Sequence, residues 1–349
     1  MCGIGGVTMY QGSTIPTTTR IAFVKALVDS LLIDNTRRGS NASGVAVFNT
    51  DTWGIYKDAI AGEKMVNTKE YLDFTNDFIN EKTLNILIHT RAWTTGHPSN
   101  NLNNHPIETD RVVGVHNGMI WNDDAVFHSY GLKRRAEVDS EAIFALADVV
   151  GFENESITPR GAQRVANELE GMATYNMVDK EERNVMWHTK KDNESSFCYV
   201  PEFNITFHAS EYRFVTHTLD YALEAMIYYG LLTKDEAGKI RNASLLDEPS
   251  YGTIWKFNAL AEDGAAQFTS KRRYDIDCDE GWNSYYYGRA YSYKPSACSV
   301  SAAKEAAGVS DDEFMKACGV AAKVTKGEEV TEEEKALAVK HGLLSGIEQ

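Results

Sequence analysis

Short apolar runs separated by polar turns fill the chain from Cys2 to about residue 260. GIGGVTMY (3–10), GVAVFN (44–49), LNILIHTR (84–91) and VVGVHNGMI (112–120) read as strands. So do GMATYNMVD (171–179), NVMWHTKK (184–191), FNITFHAS (203–210) and TIWKFNAL (253–260), mostly with the period of two of a half-buried strand. The polar turn at Lys180-Glu-Glu-Arg183 joins two of these runs as a hairpin. Apolar spacings of three and four predict helices over 18–34, 139–150, 159–170 and 219–231. Strands outnumber helices and cluster at hairpin spacing, so the pattern predicts α+β with layered sheets rather than a parallel doubly wound sheet.

The character changes past residue 262. Residues 270–299 are rich in tyrosine and loop formers and read as an arm, which either packs its aromatics on the main domain or offers a partner surface. The last segment carries two helix-start signatures, Ser310-Asp-Asp-Glu313 and Thr331-Glu-Glu-Glu334, and reads as a small helical hairpin. The expected organisation is a main domain over 2–262, a tyrosine-rich connector over 263–306 and a helical tail over 307–349.

Composition narrows the function. A formal net charge of -15 disfavours a binder that tracks nucleic-acid phosphates or anionic membranes, since either needs a basic surface. Five cysteines, odd in number, widely spaced and without a CxxC pair, argue against a disulfide framework or a zinc knuckle and fit a reducing compartment. MCGIGGVTMYQG has no basic n-region and too short an apolar run for a signal peptide, and no run approaches the ~18 apolar residues of a membrane helix. The expectation is a cytoplasmic protein.

The second residue is the chemical clue. Aminopeptidases trim Met1 efficiently before a small residue, which would leave Cys2 as the N-terminus with a thiol and a free amine together. The thiolate is the nucleophile, and an α-amine titrating near ~7.7 to 8.0 can serve as its base at neutral pH. HTRAWTTGHPSNNLNNHPI (89–107), VHNGMIWND (115–123), VDSEAIFAL (138–146) and RRGSNASG (37–44) add polar groups at strand ends and turns. Taken singly, Cys2 is a small residue entering a strand, Arg91 a surface ion pair, His-Asn-Gly a turn and Asp139 an N-cap. His97, His105 and His116 lack metal-ligand spacing and read as structural or pocket-lining, so no metal or cofactor is expected.

Together, the ordered motifs Cys2-Gly3-Ile4, Arg38-Gly39 to Gly44, His89-Thr90-Arg91 to Thr94 and Gly96, Asn103-Asn104-His105-Pro106, His116-Asn117-Gly118 and Asp139-Ser140-Glu141 resemble the class II glutamine amidotransferase domain. That domain is the N-terminal-nucleophile glutaminase of glucosamine-6-phosphate synthase and its relatives. The resemblance covers residues 2 to about 150 well and thins toward about 260. It implies a four-layer αββα sandwich of two mostly antiparallel sheets, here with a small C-terminal helical appendage. It implies that Cys2 attacks the glutamine side-chain carbonyl, giving a thioester and ammonia, and that the Asn117 amide and Gly118 N–H form the oxyanion hole. Arg91 would pair the substrate carboxylate, Asp139 the ammonium, Trp93, Thr94 and Thr95 would line the pocket, and Arg38 would support the loop beside Cys2.

The chain departs from the pattern in placing Ala92 before the aromatic Trp93, and Thr95 where one branch has histidine. No GxxxxGK[ST] loop is present, and the residues beyond 262 are too few for a synthase domain. A separate synthase subunit is therefore expected to accept the ammonia. The alternatives are a stand-alone hydrolase of another γ-glutamyl amide and a non-catalytic binding protein on the same fold.

Overall fold

The computed structural model describes residues 1–269 and 330–335. In chain order, β1 (Gly3–Met9), α1 (Thr17–Asn35), β2 (Ala42–Asn49), β3 (Trp53–Asp58), α2 (Gly62–Met65), α3 (Lys69–Phe78) and β4 (Thr83–Arg91) come first. Then come β5 (Ile107–Glu108), β6 (Val112–Ile120), α4 (Asp123–Ser129), α5 (Glu141–Leu146), β7 (Phe152–Glu153), β8 (Ser156–Ile157) and α6 (Pro159–Glu168). The series closes with β9 (Gly171–Asp179), β10 (Val185–Lys190), β11 (Ser196–Val200), β12 (Ile205–Ala209), α7 (Tyr212–Tyr228), α8 (Lys234–Ala243), β13 (Leu245–Asp247), β14 (Thr253–Asn258) and α9 (Gly264–Thr269).

Two antiparallel sheets face each other. One has seven strands in the order β13-β11-β12-β1-β4-β2-β3, the other five in the order β14-β10-β9-β6-β5. The period of two decides which residues point where. On β1, Val7 and Met9 pack outward under α1 and α7, whereas Ile4 points into the space between the sheets. On β6, Val113 and Val115 point into that space and Val112 packs under α5 and α6. Both faces of each sheet are covered, which is why NILI and VAVF read as near-continuous apolar runs. The result is the four-layer αββα sandwich that the resemblance implied.

Helix α1 is buried almost all round, with 14 of its 19 residues out of solvent, as expected of a helix inside the structure rather than on it. Three of its buried polar side chains are matched, while the buried side chain of Asn35 has no hydrogen-bond partner among the described residues. Lys25 Nζ donates to Asn76 Oδ1 at 2.7 Å, Ser30 Oγ to Thr218 Oγ1 on α7 at 3.1 Å, and Asp34 takes His217 Nδ1 at 2.7 Å.

The structure moves several expected boundaries. The helix expected over 219–231 runs from Tyr212 to Tyr228: Phe214 and Val215 are buried ahead of the expected start, and Glu211 offers no side-chain cap to mark the true one. The helix expected over 139–150 is α5 followed by a π-turn over Ala147–Gly151. Strands β3, β11 and β13 and helices α3, α4 and α8 lie where no element was expected. α3 is polar enough to read as loop and is held by Tyr71 and Thr75, which are buried. α8 carries a capping box between Thr233 and Glu236, a readable signal ahead of a weak apolar stripe. Residues 263–269 include α9, whose Phe268 stacks on Tyr199 with ring centroids 5.9 Å apart. Thr331 and Glu334 form a reciprocal cap, and Val330 packs against the core that holds α1 and α7. The rest of the expected arm and tail, Ser310-Asp-Asp-Glu313 included, lies outside the described residues.

Candidate active site

The site forms at one end of the space between the sheets, where the inter-sheet rows turn from apolar to polar. On the five-stranded sheet the row of Val113, Val178, Met186 and Phe257 is followed by Val115, Asn176, His188 and Trp255, and then by Asn117, Thr174, Lys190 and Thr253. On the facing sheet, Gly3 pairs with Thr90, so Cys2 meets the end of β4. Its Sγ contacts the Ala92 carbonyl at 3.8 Å.

Arg38 fixes the residue from behind. Its Nε donates to the Cys2 carbonyl at 2.9 Å while Nη1 pairs with Glu211 at 2.8 Å. Gly39 permits this, since a Cβ there would lie 2.3 Å from the Ala92 nitrogen. The Cys2 residue is partly exposed, yet its thiol is desolvated, and burial pushes its pKa up. The Ala92 carbonyl, the chain's amino terminus and Arg91 pull it down, and Asp139 adds to the rise. Arg91 and Asp139 therefore both act electrostatically on the thiol.

Asn117 shares the inward face of β6 with Val113 and Val115. It is 0% exposed, and neither Nδ2 nor Oδ1 has a hydrogen-bond partner. A buried amide left unpaired costs about 1–3 kcal/mol, so it persists where something other than stability requires it. Gly118 follows with φ of 153°, and a Cβ there would sit 1.9 Å from the Met172 carbonyl oxygen. Only glycine lets β6 bend against β9 in this way.

Arg91 is buried at the end of β4. Nη1 donates to Asn104 Oδ1 at 2.9 Å, and Nη2 donates to the Gly96 carbonyl at 2.7 Å and to the Thr95 carbonyl. Burial lowers its pKa, against the charges of Cys2 and Asp139. Lys57 supports the Asn104 segment, donating to the Asn104 and Pro106 carbonyls at 2.7 Å each. Asp139 does not cap α5 with its side chain; Oδ2 accepts the Ile120 N–H of β6 at 2.6 Å. Beside it, His116 Nδ1 meets Ser140 Oγ at 2.9 Å, and His89 Nε2 donates to the His116 carbonyl at 3.0 Å. Burial holds His116 and His89 below the ordinary imidazole range, so both are neutral.

Cys2, Arg38, Arg91, Asp139, Asn117 and Gly118 thus gather at one end of the sandwich. Trp93, Thr94 and Thr95 lie on the exposed loop that follows Arg91. Trp93 is 47% exposed, stands edge-on to His97 at 4.8 Å and donates its backbone N–H to Asn41 Oδ1. Among the described residues no three His, Cys, Asp or Glu side chains gather as a metal ion would require. Sequence reasoning did not single out Lys57 or Asn193, whose contacts are long-range and carry no periodic signal. Asn41, Asn104 and Ser140 stood inside quoted motifs without an assigned task, and His116 was expected to be structural or pocket-lining. The arrangement offers a thiol, a buried unpaired amide, a guanidinium and a carboxylate, the groups that acyl transfer from an amino-acid amide needs.

No family model matches the chain, and no curated protein matches it. Among solved structures it is similar to a glutamine phosphoribosylpyrophosphate amidotransferase from B. subtilis complexed with ADP and GMP, at 13% identity and a TM-score of 0.49. A structure described as the allosteric regulatory enzyme of purine biosynthesis gives 14% identity and a TM-score of 0.49. In both cases the match covers 74% of this chain and 47% of the other, so the chain spans about half the length of those proteins. A glutamine aminotransferase class-II domain protein from Silicibacter pomeroyi matches at 13% identity and a TM-score of 0.40, over 73% of this chain and 94% of that one. In structure the chain is similar to these proteins, and in its motifs it resembles the class II glutamine amidotransferase domain.

Proposed function

We propose that the protein hydrolyses the side-chain amide of glutamine to glutamate and ammonia. The observation that carries the reading is the fully buried, unpartnered amide of Asn117, on the inward face that the Cys2 end of β1 also borders. Met1 is 74% exposed, open to removal. With Met1 gone, the Cys2 amine takes the thiol proton and Sγ forms a bond to the amide carbon. The carbonyl π electrons move to oxygen, where Asn117 Nδ2 and the Gly118 N–H receive the charge. Collapse breaks the C–N bond, the amine's proton goes to the leaving nitrogen, and ammonia departs from a γ-glutamyl thioester. Water then adds to the thioester carbon, glutamate leaves and the thiol is restored.

Arg91 takes the substrate carboxylate by opening its fork from the Thr95 and Gly96 carbonyls, and Asp139 takes the α-ammonium. Arg38 supports Cys2, and the loop carrying Trp93, Thr94 and Thr95 covers the bound amino acid. Ammonia passes to a separate synthase subunit. The test is ammonia release from glutamine by the purified protein and by two variants. Cys2→Ala should abolish turnover while glutamine binding is kept, and Cys2→Ser should retain little; full activity in Cys2→Ala would sink the mechanism.

A further inference from the structure

The Asn117 carbonyl and the Gly118 N–H belong to one peptide unit. That unit is planar and trans, so fixing the direction of its carbonyl fixes its N–H in the opposite direction. The carbonyl is held by a side chain from elsewhere in the chain: Asn193 Nδ2 donates to Asn117 O at 2.9 Å. Asn193 is only 8% exposed and lies on the turn after β10. Three bonds lock that turn to β9. Lys191 N–H donates to the Ala173 carbonyl at 2.9 Å, Ala173 N–H to Asp192 Oδ1 at 2.7 Å, and Thr174 Oγ1 to the Asn193 carbonyl at 2.9 Å.

We propose that Asn193 is the positioning residue of the oxyanion hole, holding the 117–118 peptide so that the Gly118 N–H faces the reacting carbonyl. The inference rests on the reading of Cys2 as nucleophile. The β6–β9 ladder runs through this peptide, with Asn117 opposite Thr174 and Gly118 opposite Ala173, and Asn193 adds a side-chain bond to the same carbonyl where glycine leaves the backbone easiest to turn. The bond also polarises the amide, which makes the Gly118 N–H a stronger donor as negative charge develops. Asn193 touches no reacting atom and acts only through this peptide.

The test is steady-state kinetics of Asn193→Leu, which keeps the shape and removes the donor, with Asn193→Asp and Asn193→Ser carrying the same expectations should the first fail to fold. Each folded variant is measured for kcat, KM for glutamine, inhibition by glutamate and the rate of alkylation of Cys2 by iodoacetamide. Alkylation develops no oxyanion, and glutamate needs the pocket but not the hole. The expected result is a kcat lowered roughly three- to tenfold, with KM, the glutamate inhibition constant and the alkylation rate within about twofold of wild type. An unchanged kcat in a folded variant overturns the proposal, and so does a joint shift of all four quantities, which would mean a disturbed pocket. Wild-type protein without Cys2-dependent hydrolysis would remove the underlying reading, a result the variants cannot mimic.

Discussion

Acid should unfold this protein through histidines buried without charge partners. His89 and His208 are 0% exposed, and both imidazoles are pushed down to about 3 from an ordinary value of 6.5, above all by loss of hydration. His208 Nε2 accepts a hydrogen bond from Asn176 Nδ2 at 2.9 Å, and Asn176 Oδ1 in turn accepts from His188 Nδ1, so a second proton has no place in the network. As pH falls through about 6.5 the unfolded chain takes up a proton at each site, while the folded chain does not until about pH 3. Their contribution is therefore full above about pH 6.5 and is lost as pH falls toward 3. From pH 7 to pH 5 the loss comes to about 2 kcal/mol for each, about 4 kcal/mol together, against the ~5–15 kcal/mol typical of a whole domain. His105 and His188, also held well below the ordinary range by burial, add to the same trend. His217, raised by its bond to Asp34, works in the opposite sense from a more exposed position. Urea unfolding followed by tryptophan fluorescence at pH 7 and pH 5 measures the difference. His208→Gln, unable to protonate, should lose about 2 kcal/mol of the pH dependence. Equal unfolding free energies at the two pH values, or an undiminished dependence in the variant, would refute the reasoning.

Other substitutions probe the site. Gly118→Ala would drive a Cβ to 1.9 Å from the Met172 carbonyl at a φ of 153°. It should cost about 1–3 kcal/mol in chemical denaturation and lower kcat more than it raises KM. Arg91→Lys loses the planar fork and should raise KM for glutamine at least about tenfold with a smaller change in kcat, read from initial rates of glutamate formation. Arg38→Met frees the Cys2 carbonyl and leaves Glu211 paired with Arg213 alone among the described residues. A fall in kcat of roughly tenfold, with a correspondingly altered rate of thiol alkylation, is expected in a stopped assay.

Strands with apolar residues on both faces were the most legible elements. β6 and β9 run from Val112 to Ile120 and from Gly171 to Asp179, the bounds their patterns predict. The layer order came from the resemblance, since periodicity alone cannot say which sheet faces which. The start of α7 was hidden because YRFVTH mixes aromatic and β-branched residues whose burial against α1 and the seven-stranded sheet, not their propensity, makes the helix. At the site, the residues in local motifs could be read as candidates from their order along the chain. Their partners could not. Asn193 reaches the Asn117 carbonyl across 76 positions, and Arg38 reaches Cys2 across 36. Such side-chain to backbone bonds leave no trace in hydrophobic pattern. Asp139 shows how a local rule is overridden: before an apolar helix it reads as a cap, but its carboxylate turns to the Ile120 N–H instead.

The central claim is that Cys2, freed of Met1, is a working nucleophile for glutamine. The most direct test is the intact mass of the purified protein before and after treatment with 6-diazo-5-oxo-norleucine, a glutamine analogue that alkylates a glutaminase nucleophile, with the adduct located by peptide mapping. Loss of Met1 and a single adduct on Cys2, blocked by excess glutamine, is the result expected. Retained Met1 with no adduct, or an adduct on another residue, would contradict the account.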